Sequence, residues 1–182
     1  RKFYKKIQNL VNSLGLKEGS FWIEVFTDGV NYYFNEAGYR YGGTISIYPI
    51  DYLYGYNQLG ADIYYALTGE SKLLGHKSLI KCDLTKSKKY CVYALHLKPG
   101  IIASISGIED ILNMDNVVAL PTSMKVGHNV PDTGAISQVF GFVHFTFDNI
   151  DEWSSTIKNF IAKLKIVDTE GNDMLTIKID HN

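Results

Sequence analysis

Two glutamates and one arginine stand within residues 21–43, a stretch otherwise made mostly of apolar residues, tyrosines and glycines. Glu24 lies in a run of β-favouring residues, and Glu36 ends the next such run. The dipeptide Asp28-Gly29 between the two runs is a turn signal, so the stretch predicts a β-hairpin. This hairpin carries acidic residues where a core strand is expected to be apolar.

The length of the turn decides whether the two acids can meet, because side chains alternate between the two faces of a strand. A two-residue turn would place Glu24 and Glu36 on opposite faces. A three-residue loop of residues 27–29 would pair Glu24 with Tyr32 and put both acids on the same face. Their backbones would then lie about 13 Å apart, at roughly 3.3 Å per residue. Two side chains can close that gap around a pair of divalent ions.

Carboxylate oxygens favour Mg²⁺ or Mn²⁺ over zinc, and Mg²⁺ is usually held by one or two carboxylates together with substrate phosphates. Arg40 follows Glu36 and leads into Gly42-Gly43, where the missing side chains let backbone amides approach an anion. The Arg40 guanidinium can clamp a carboxylate or a phosphoryl group through two hydrogen bonds. The residues therefore indicate nucleotide-phosphate chemistry. The alternative is a solvated strand with an ordinary surface cation.

The order of these residues resembles the metal-binding end of the ATP-grasp ligases. That superfamily carries patterns close to E…(N)E-x-x-x-R, which this chain matches with Glu24, Asn35-Glu36 and Arg40. The resemblance implies that Glu24 and Glu36 bind Mg²⁺ ions bridging the ATP phosphates. It implies that Arg40, as a catalytic and cofactor-binding residue, helps bind the acyl phosphate or the acceptor carboxylate. Many members place a further Asn ligand where this chain has Gly38, so Asn35 is the third candidate metal ligand.

Three further stretches extend the resemblance over most of the chain. Residues 56–69, which end in Ala-Leu-Thr-Gly, resemble the helix after the active-site strands in the biotin carboxylase and amino-acid ligase branches. Residues 99–102 and 165–175 resemble the sheet-rich C-terminal region of the same proteins. The resemblance thus implies the C-terminal part of an ATP-grasp domain over residues 1–70 and a small sheet-rich domain over residues 71–182.

An ATP site of this kind needs a Gly-rich phosphate-covering loop and phosphate-binding lysines, for which the residues before Glu24 offer no candidates. We therefore expect an upstream N-terminal region of the same protein to complete the site. The chain alone is expected to be inactive. We place the boundary between its two domains at residues 69–77, which contain Gly, Ser and Lys.

Composition excludes several classes of protein. With 182 residues, of which 46% are hydrophobic, the chain can bury a core as one compact unit or two small ones. Its net charge of −1 argues against a nucleic-acid partner, which would require clustered Lys and Arg. No apolar run reaches the length of a membrane span, and no signal peptide is visible. We expect a cytoplasmic location, and the sequence leaves a homodimer open.

Apolar periodicity predicts an α+β architecture that is mostly antiparallel. The expected helices cover residues 5–14, 56–67, 108–112 and 150–164, the last with its N-cap at Asp148 or Asn149. The expected strands cover residues 90–97, 101–106, 117–120 and 136–147, followed by a hairpin over residues 167–179. The strand at 136–147 alternates as if one face were wet. Tyrosines at positions 48, 52, 54 and 56 indicate a half-buried strand or loop.

The function that these observations predict is an ATP-dependent carboxylate–amine ligase, or a related C–N ligase, that works through an acyl phosphate with Mg-ATP. Its partners would be ATP, a small carboxylate and a nucleophilic acceptor. The alternative is a noncatalytic interaction or scaffold domain of a multi-subunit enzyme. Binding of a divalent ion distinguishes the two.

Overall fold

The computed structural model describes residues 2–72, 88–134 and 136–176. The chain divides into two compact units, Arg1–Cys82 and Asp83–Asn182. The predicted domain boundary at residues 69–77 falls largely outside the described residues. The assignment of residues 1–70 and 71–182 to two domains therefore stays a prediction.

The described part of the first unit contains a hairpin and three helices. In chain order they are α1 (Lys2–Ser13), β1 (Trp22–Thr27), β2 (Tyr32–Gly38), α2 (Ile47–Tyr54) and α3 (Gln58–Thr68). The helices predicted at residues 5–14 and 56–67 correspond to α1 and α3. Asn57 caps α3 by accepting a hydrogen bond from the Gly60 amide, and Gly69 ends it in the left-handed conformation.

The tyrosine-rich segment before α3 is mostly a helix, so the prediction of a strand or loop was wrong for Tyr48, Tyr52 and Tyr54. It was right for Tyr56, which is half-buried in the connection to α3. Aromatic and β-branched residues favour strands, which is why the alternating tyrosines were misleading. Two other residues favour α2. Pro49 lies in its first turn, where proline is tolerated, and Gly55 ends the helix with a left-handed φ of 62°.

The second unit contains two three-stranded antiparallel sheets and two α-helices in its described part. The sheet orders are β3-β7-β5 and β6-β4-β8. The elements in chain order are β3 (Lys89–His96), β4 (Gly100–Ser106), α4 (Ile108–Leu112), β5 (Val117–Ala119), β6 (Asn129–Val130), a 3₁₀ turn (Ile136–Gln138), β7 (Val139–Phe147), α5 (Ile150–Lys163) and β8 (Lys165–Asp168). Asn149 is the N-cap of α5, as expected, and accepts hydrogen bonds from the amides of Asp151 and Glu152.

The long strand β7 is buried on both faces, so the expected wet face was wrong. It lies between β3 and β5, and Phe145 packs against Phe160 of α5 with 6.1 Å between ring centroids. The polar residues on its other face are also buried: His144 is fully buried and Thr146 is 2% exposed. The side chain of Asn116 donates a hydrogen bond to the backbone carbonyl of Thr146, so this carbonyl has a partner.

All strand pairs in the described residues are antiparallel, which confirms the α+β class. The predicted terminal hairpin is present as far as the chain is described: a turn at residues 169–172 leads from β8 to Asp173, which bridges Val167. Its remaining residues lie outside the described part. Among the described helices, none is both long and apolar enough to span a bilayer.

Candidate active site

The turn of the β1–β2 hairpin is shaped by the side chain of Asp28. Its carboxylate accepts hydrogen bonds from the amides of Val30 and Asn31, at 2.9 and 2.7 Å, and from the Asn31 carboxamide at 3.1 Å. These bonds hold the pKa of the Asp28 carboxyl at about 2, with the Asn31 amide as the largest cause. Thr27 pairs with Tyr32, so the loop between them contains four residues, 28–31. The predicted three-residue loop of residues 27–29 was wrong.

The two acids lie directly opposite each other, because a β-bulge corrects the register of this longer loop. Val25 pairs with Phe34, whereas Glu24 pairs with Glu36, which leaves Asn35 as the extra residue. Without the bulge, Glu24 would pair with Asn35 and Glu36 would point to the other face. The expectation of a shared face is confirmed. The expected Glu24–Tyr32 pairing and 13 Å separation were wrong, since directly opposed residues have Cβ atoms roughly 5 Å apart.

The bulge also brings Asn35 to the acids. Its carboxamide nitrogen donates a hydrogen bond of 3.0 Å to Glu24 Oε1. All three predicted metal ligands are exposed and lie within one short segment of the hairpin. Among the described residues, no group of three or more His, Cys, Asp or Glu side chains could hold a metal ion. The available donor set is therefore two carboxylates and one carboxamide, which fits Mg²⁺ when substrate oxygens complete its coordination.

Arg40 lies beyond the end of β2 and stacks on Trp22 at the start of β1. Its guanidinium carbon is 5.2 Å from the centre of the indole ring, and Nη1 donates a hydrogen bond of 2.9 Å to the Tyr41 carbonyl. Stacking on an indole and hydrogen bonding to the backbone both restrict the guanidinium. Because Trp22 pairs with Gly38, the arginine is held near the same end of the hairpin as the acids.

Trp22 also explains why Gly38 stands where the resemblance leads one to expect an Asn ligand. A Cβ atom at Gly38 would lie 2.4 Å from the indole Nε1, a distance that side chains cannot tolerate. The Trp22 ring thus occupies the space that a longer residue would need. Gly38 contributes no side-chain ligand, and Asn35 is the carboxamide nearest to Glu24 in the described hairpin.

The glycine pair after Arg40 begins a turn that leads into α2. The Gly42 amide donates a hydrogen bond of 3.1 Å to Ser46 Oγ, so this amide already has a partner. Ile45 in the same turn has a φ of 57°, a region that β-branched residues rarely adopt. The Gly42 amide is therefore not free to bind an anion, contrary to the expectation for this glycine pair.

The two faces of the hairpin differ. On the face opposite the acids, Phe3 of α1 lies 4.4 Å from Tyr32 and 5.8 Å from Phe34 between ring centroids. On the acidic face, Phe26 pairs with Tyr33 beside the glutamates, and these two residues are 59% and 55% exposed. The acidic face thus combines two carboxylates with an exposed aromatic pair.

Three residues of the site region were not identified from the sequence: Trp22, Asp62 of α3, and Asp28 in its role as a hydrogen-bond acceptor in the turn. The Asp28-Gly29 dipeptide indicated a turn. It did not indicate that the Asp28 side chain would support a longer loop. The position of Trp22 before an apolar run did not predict its contact with Arg40. Asp62 accepts hydrogen bonds from Ser20 and Tyr41, a contact between segments that spacing cannot reveal.

No protein-family model and no curated protein matches this chain. Its fold resembles that of an L-amino acid ligase from Bacillus licheniformis, with 21% identity and a TM-score of 0.66 over 92% of this chain and 40% of that one. It also resembles a phosphoribosylglycinamide synthetase from Anaerococcus prevotii, with 13% identity and a TM-score of 0.69 over 91% of this chain and 41% of that one. Both are ATP-grasp enzymes. This chain has part of the ATP-grasp fold.

The expected ATP-grasp resemblance is therefore confirmed at the level of fold. The chain spans about two fifths of the length of each of these two proteins. The roles proposed for Glu24, Glu36, Asn35 and Arg40 have a separate basis. Those roles rest on the resemblance in sequence and on the geometry of the hairpin.

Proposed function

We propose that this chain is part of an ATP-dependent carboxylate–amine ligase, or a related C–N ligase, of the ATP-grasp type. The enzyme would form an acyl phosphate from ATP and a small carboxylate, and a nucleophile would then displace the phosphate. One observation carries the proposal: Glu24 and Glu36 lie directly opposite each other on an exposed face of the hairpin. Like charges in a directly opposed pair destabilise a sheet, and a divalent cation between them removes that cost.

Glu24 and Glu36 would hold Mg²⁺ or Mn²⁺, with Asn35 as a supporting ligand or as the donor that orients Glu24. A bound ion of this kind supplies neutralisation of the charge on the phosphoryl group during its transfer. The residues of the chain fit it, because hard divalent cations take oxygen ligands and leave positions open for phosphate oxygens. The hydrogen bond from Asn35 to Glu24 fixes one carboxylate oxygen before any ligand arrives.

Arg40 would orient the carboxylate substrate and bind the acyl phosphate. A guanidinium presents donors in a fixed plane that matches the two oxygens of a carboxylate or a phosphoryl group. Its contacts with the Trp22 ring and the Tyr41 carbonyl support this role, because they hold the guanidinium in place through an uncharged ring and an uncharged carbonyl. The side chain stays exposed at the end of the hairpin.

The remaining parts of the site would come from an upstream region of the same polypeptide. The exposed aromatic pair Phe26 and Tyr33 beside the acids supports this, because exposed apolar surface next to charged groups is typical of an incomplete ligand site. We expect the chain by itself to show no ATP turnover. The proposed location of the whole protein is the cytoplasm.

The test is a turnover assay on the complete protein with Mg-ATP, a panel of carboxylates and an amine, following ADP and trapping acyl phosphate with hydroxylamine. Glu36→Gln should lower turnover by about a hundredfold or more, equivalent to roughly 3 kcal/mol of barrier. Arg40→Lys should also impair it, because a point charge cannot reproduce a planar two-donor clamp. Glu109→Gln, which changes an exposed glutamate in α4, is the matched control. Normal turnover in Glu36→Gln would leave a noncatalytic scaffold as the better interpretation.

A further inference from the structure

The carboxylate of Asp62 joins three separate segments of the first unit. Its Oδ2 accepts a hydrogen bond of 2.5 Å from Ser20 Oγ and another of 2.6 Å from the Tyr41 hydroxyl. Ser20 lies two residues before β1, and Tyr41 directly follows Arg40. One oxygen atom on α3 therefore ties the segment that enters β1 to the segment that follows β2, at the open end of the hairpin that carries the candidate site.

The environment of these contacts strengthens them. Ser20 is only 8% exposed, which makes it one of the few buried residues of the first unit in the described part of the chain. Burial raises the pKa of the Tyr41 hydroxyl, and the hydrogen bond to Asp62 raises it further, so Tyr41 remains a donor at neutral pH. Hydrogen bonds that end on an ionised carboxylate are shorter and stronger than those between neutral groups.

The contacts of Arg40 connect this anchor to the site. The guanidinium donates to the carbonyl of Tyr41 and stacks on Trp22, which lies two residues after Ser20. Both of its contacts are therefore made with residues at or beside the anchored positions. A shift of Tyr41 or of the entry to β1 would move the carbonyl or the ring that holds the arginine.

We propose that Asp62 is a positioning residue for the candidate site: by fixing Ser20 and Tyr41, it holds Arg40 in register with Glu24 and Glu36. In this proposal Asp62 acts through Arg40 and not by contact with the substrate or the metal. This inference rests on the proposed function, because the effect of the anchor on catalysis passes through Arg40. It assigns a catalytic consequence to a residue that no spacing in the sequence indicates.

The experiment compares Asp62→Asn, Tyr41→Phe and Arg40→Lys, alone and combined, in the complete protein. Asp62→Asn and Tyr41→Phe should each raise the KM for the carboxylate and lower kcat about tenfold, while the KM for ATP stays near normal. The double variant should be no worse than the more damaging single one, because both changes remove the same contact. In an Arg40→Lys background, Asp62→Asn should have little further effect. Asp51→Asn, on the exposed surface of α2, is the control.

A readout that needs no substrate separates this inference from the proposed function. Amide hydrogen exchange at residues 41–43 should become faster in Asp62→Asn, and exchange in the second unit should not change. If Asp62→Asn lowers the melting temperature but leaves kcat and both KM values normal, the anchor is merely structural and the inference is wrong. Additive losses in the Arg40→Lys background would also overturn it. The proposed function fails on a different result, which is normal turnover in Glu36→Gln.

Discussion

At the scale of single residues, the site depends on side chains that restrict one another. Glu24 and Glu36 are opposed across the hairpin, Asn35 donates to Glu24, and Arg40 lies over Trp22. Glu24, Asn35 and Arg40 thus each have a contact that limits their rotamers, which helps a site to keep its geometry before a ligand arrives. The least expected of these contacts is the one between Trp22 and Gly38, because it changes which ligands the hairpin can offer.

Replacement of Gly38 by Ala should destabilise the first unit. The new Cβ would lie 2.4 Å from the indole Nε1, and forcing an extra methyl group into a filled space costs roughly 1–3 kcal/mol. Gly43→Ala is the matched control, because nothing lies within 4 Å of the Cβ it would add. Urea unfolding followed by Trp22 fluorescence in a Trp153→Phe background measures the difference. Equal free energies of unfolding for the two variants would show that the ring can move aside.

The same contact predicts the outcome of introducing the Asn that the resemblance leads one to expect at Gly38. Gly38→Asn should be at least as destabilising as Gly38→Ala while Trp22 is present, since its side chain is larger. It should therefore not improve activity in the complete protein. Improved turnover in Gly38→Asn would show that the Trp22 ring does not exclude a ligand at this position.

At the scale of elements, two irregular features of the hairpin bring the acids together. The Asp28 side chain supports a four-residue loop, and the bulge at Asn35 then returns Glu36 to the face of Glu24. The four-residue loop without the bulge would leave the acids on opposite faces, and so would the bulge combined with a three-residue loop. β-Bulges commonly occur beside active sites, where they redirect a side chain.

Asp28→Ala should therefore loosen the hairpin and disturb the site at a distance. The variant loses the acceptor for the amides of Val30 and Asn31, so the loop no longer favours this register. We expect a lower melting temperature and broadened NMR resonances for β1 and β2, whereas Asp28→Asn should be milder because it keeps an acceptor oxygen. Asp51→Ala in α2 is the control. The predicted register dependence is wrong if the cross-strand contacts of Glu24 and Glu36 persist unchanged in Asp28→Ala.

The sequence predicted the hairpin and the shared face of the acids, but not the way in which they meet. Apolar runs around Asp28-Gly29 are a local signal, and local signals predict elements well. The register depends on hydrogen bonds of a side chain and on one extra residue, neither of which alters the apolar pattern. The same limit applies to β7, whose apolar run indicated a strand, whereas burial of His144 follows from neighbours far along the chain.

At the scale of the whole molecule, the two units differ in how they are stabilised. The core consists almost entirely of residues of the second unit, with Phe140, Val143 and Phe145 of β7 fully buried. The first unit buries only Ser20 and Ala61 among its described residues and exposes several aromatic side chains. Much of its apolar surface is thus available to the upstream region that we propose as its partner.

The second unit should lose stability in mildly acidic solution because of His144. Burial lowers the pKa of this imidazole from 6.5 to about 4. The unfolded chain therefore binds a proton between these values and the folded chain does not. Stability should be complete above about pH 6.5 and fall by about 3 kcal/mol as the pH approaches 4. Urea unfolding of the Trp22→Phe protein, followed by Trp153 fluorescence, measures this dependence.

His144→Gln should flatten the pH dependence in that window, since it removes the titrating group. His128→Gln, which changes an exposed histidine, is the matched control and should leave the slope unchanged. A slope in His144→Gln equal to that of the unaltered protein would assign the acid sensitivity to other groups.

The measurement that tests the central claim most directly is calorimetric titration of Mn²⁺ into the complete protein with a nonhydrolysable ATP analogue present. Glu36→Gln should weaken Mn²⁺ binding at least about tenfold, or roughly 1.4 kcal/mol, and Glu109→Gln should not change it. In metal-free buffer Glu36→Gln should melt at the same temperature or higher, because the opposed charge is gone, which excludes unfolding as the cause. Equal Mn²⁺ affinity in Glu36→Gln and in the unaltered protein would contradict the account, because the opposed glutamates would then not be metal ligands.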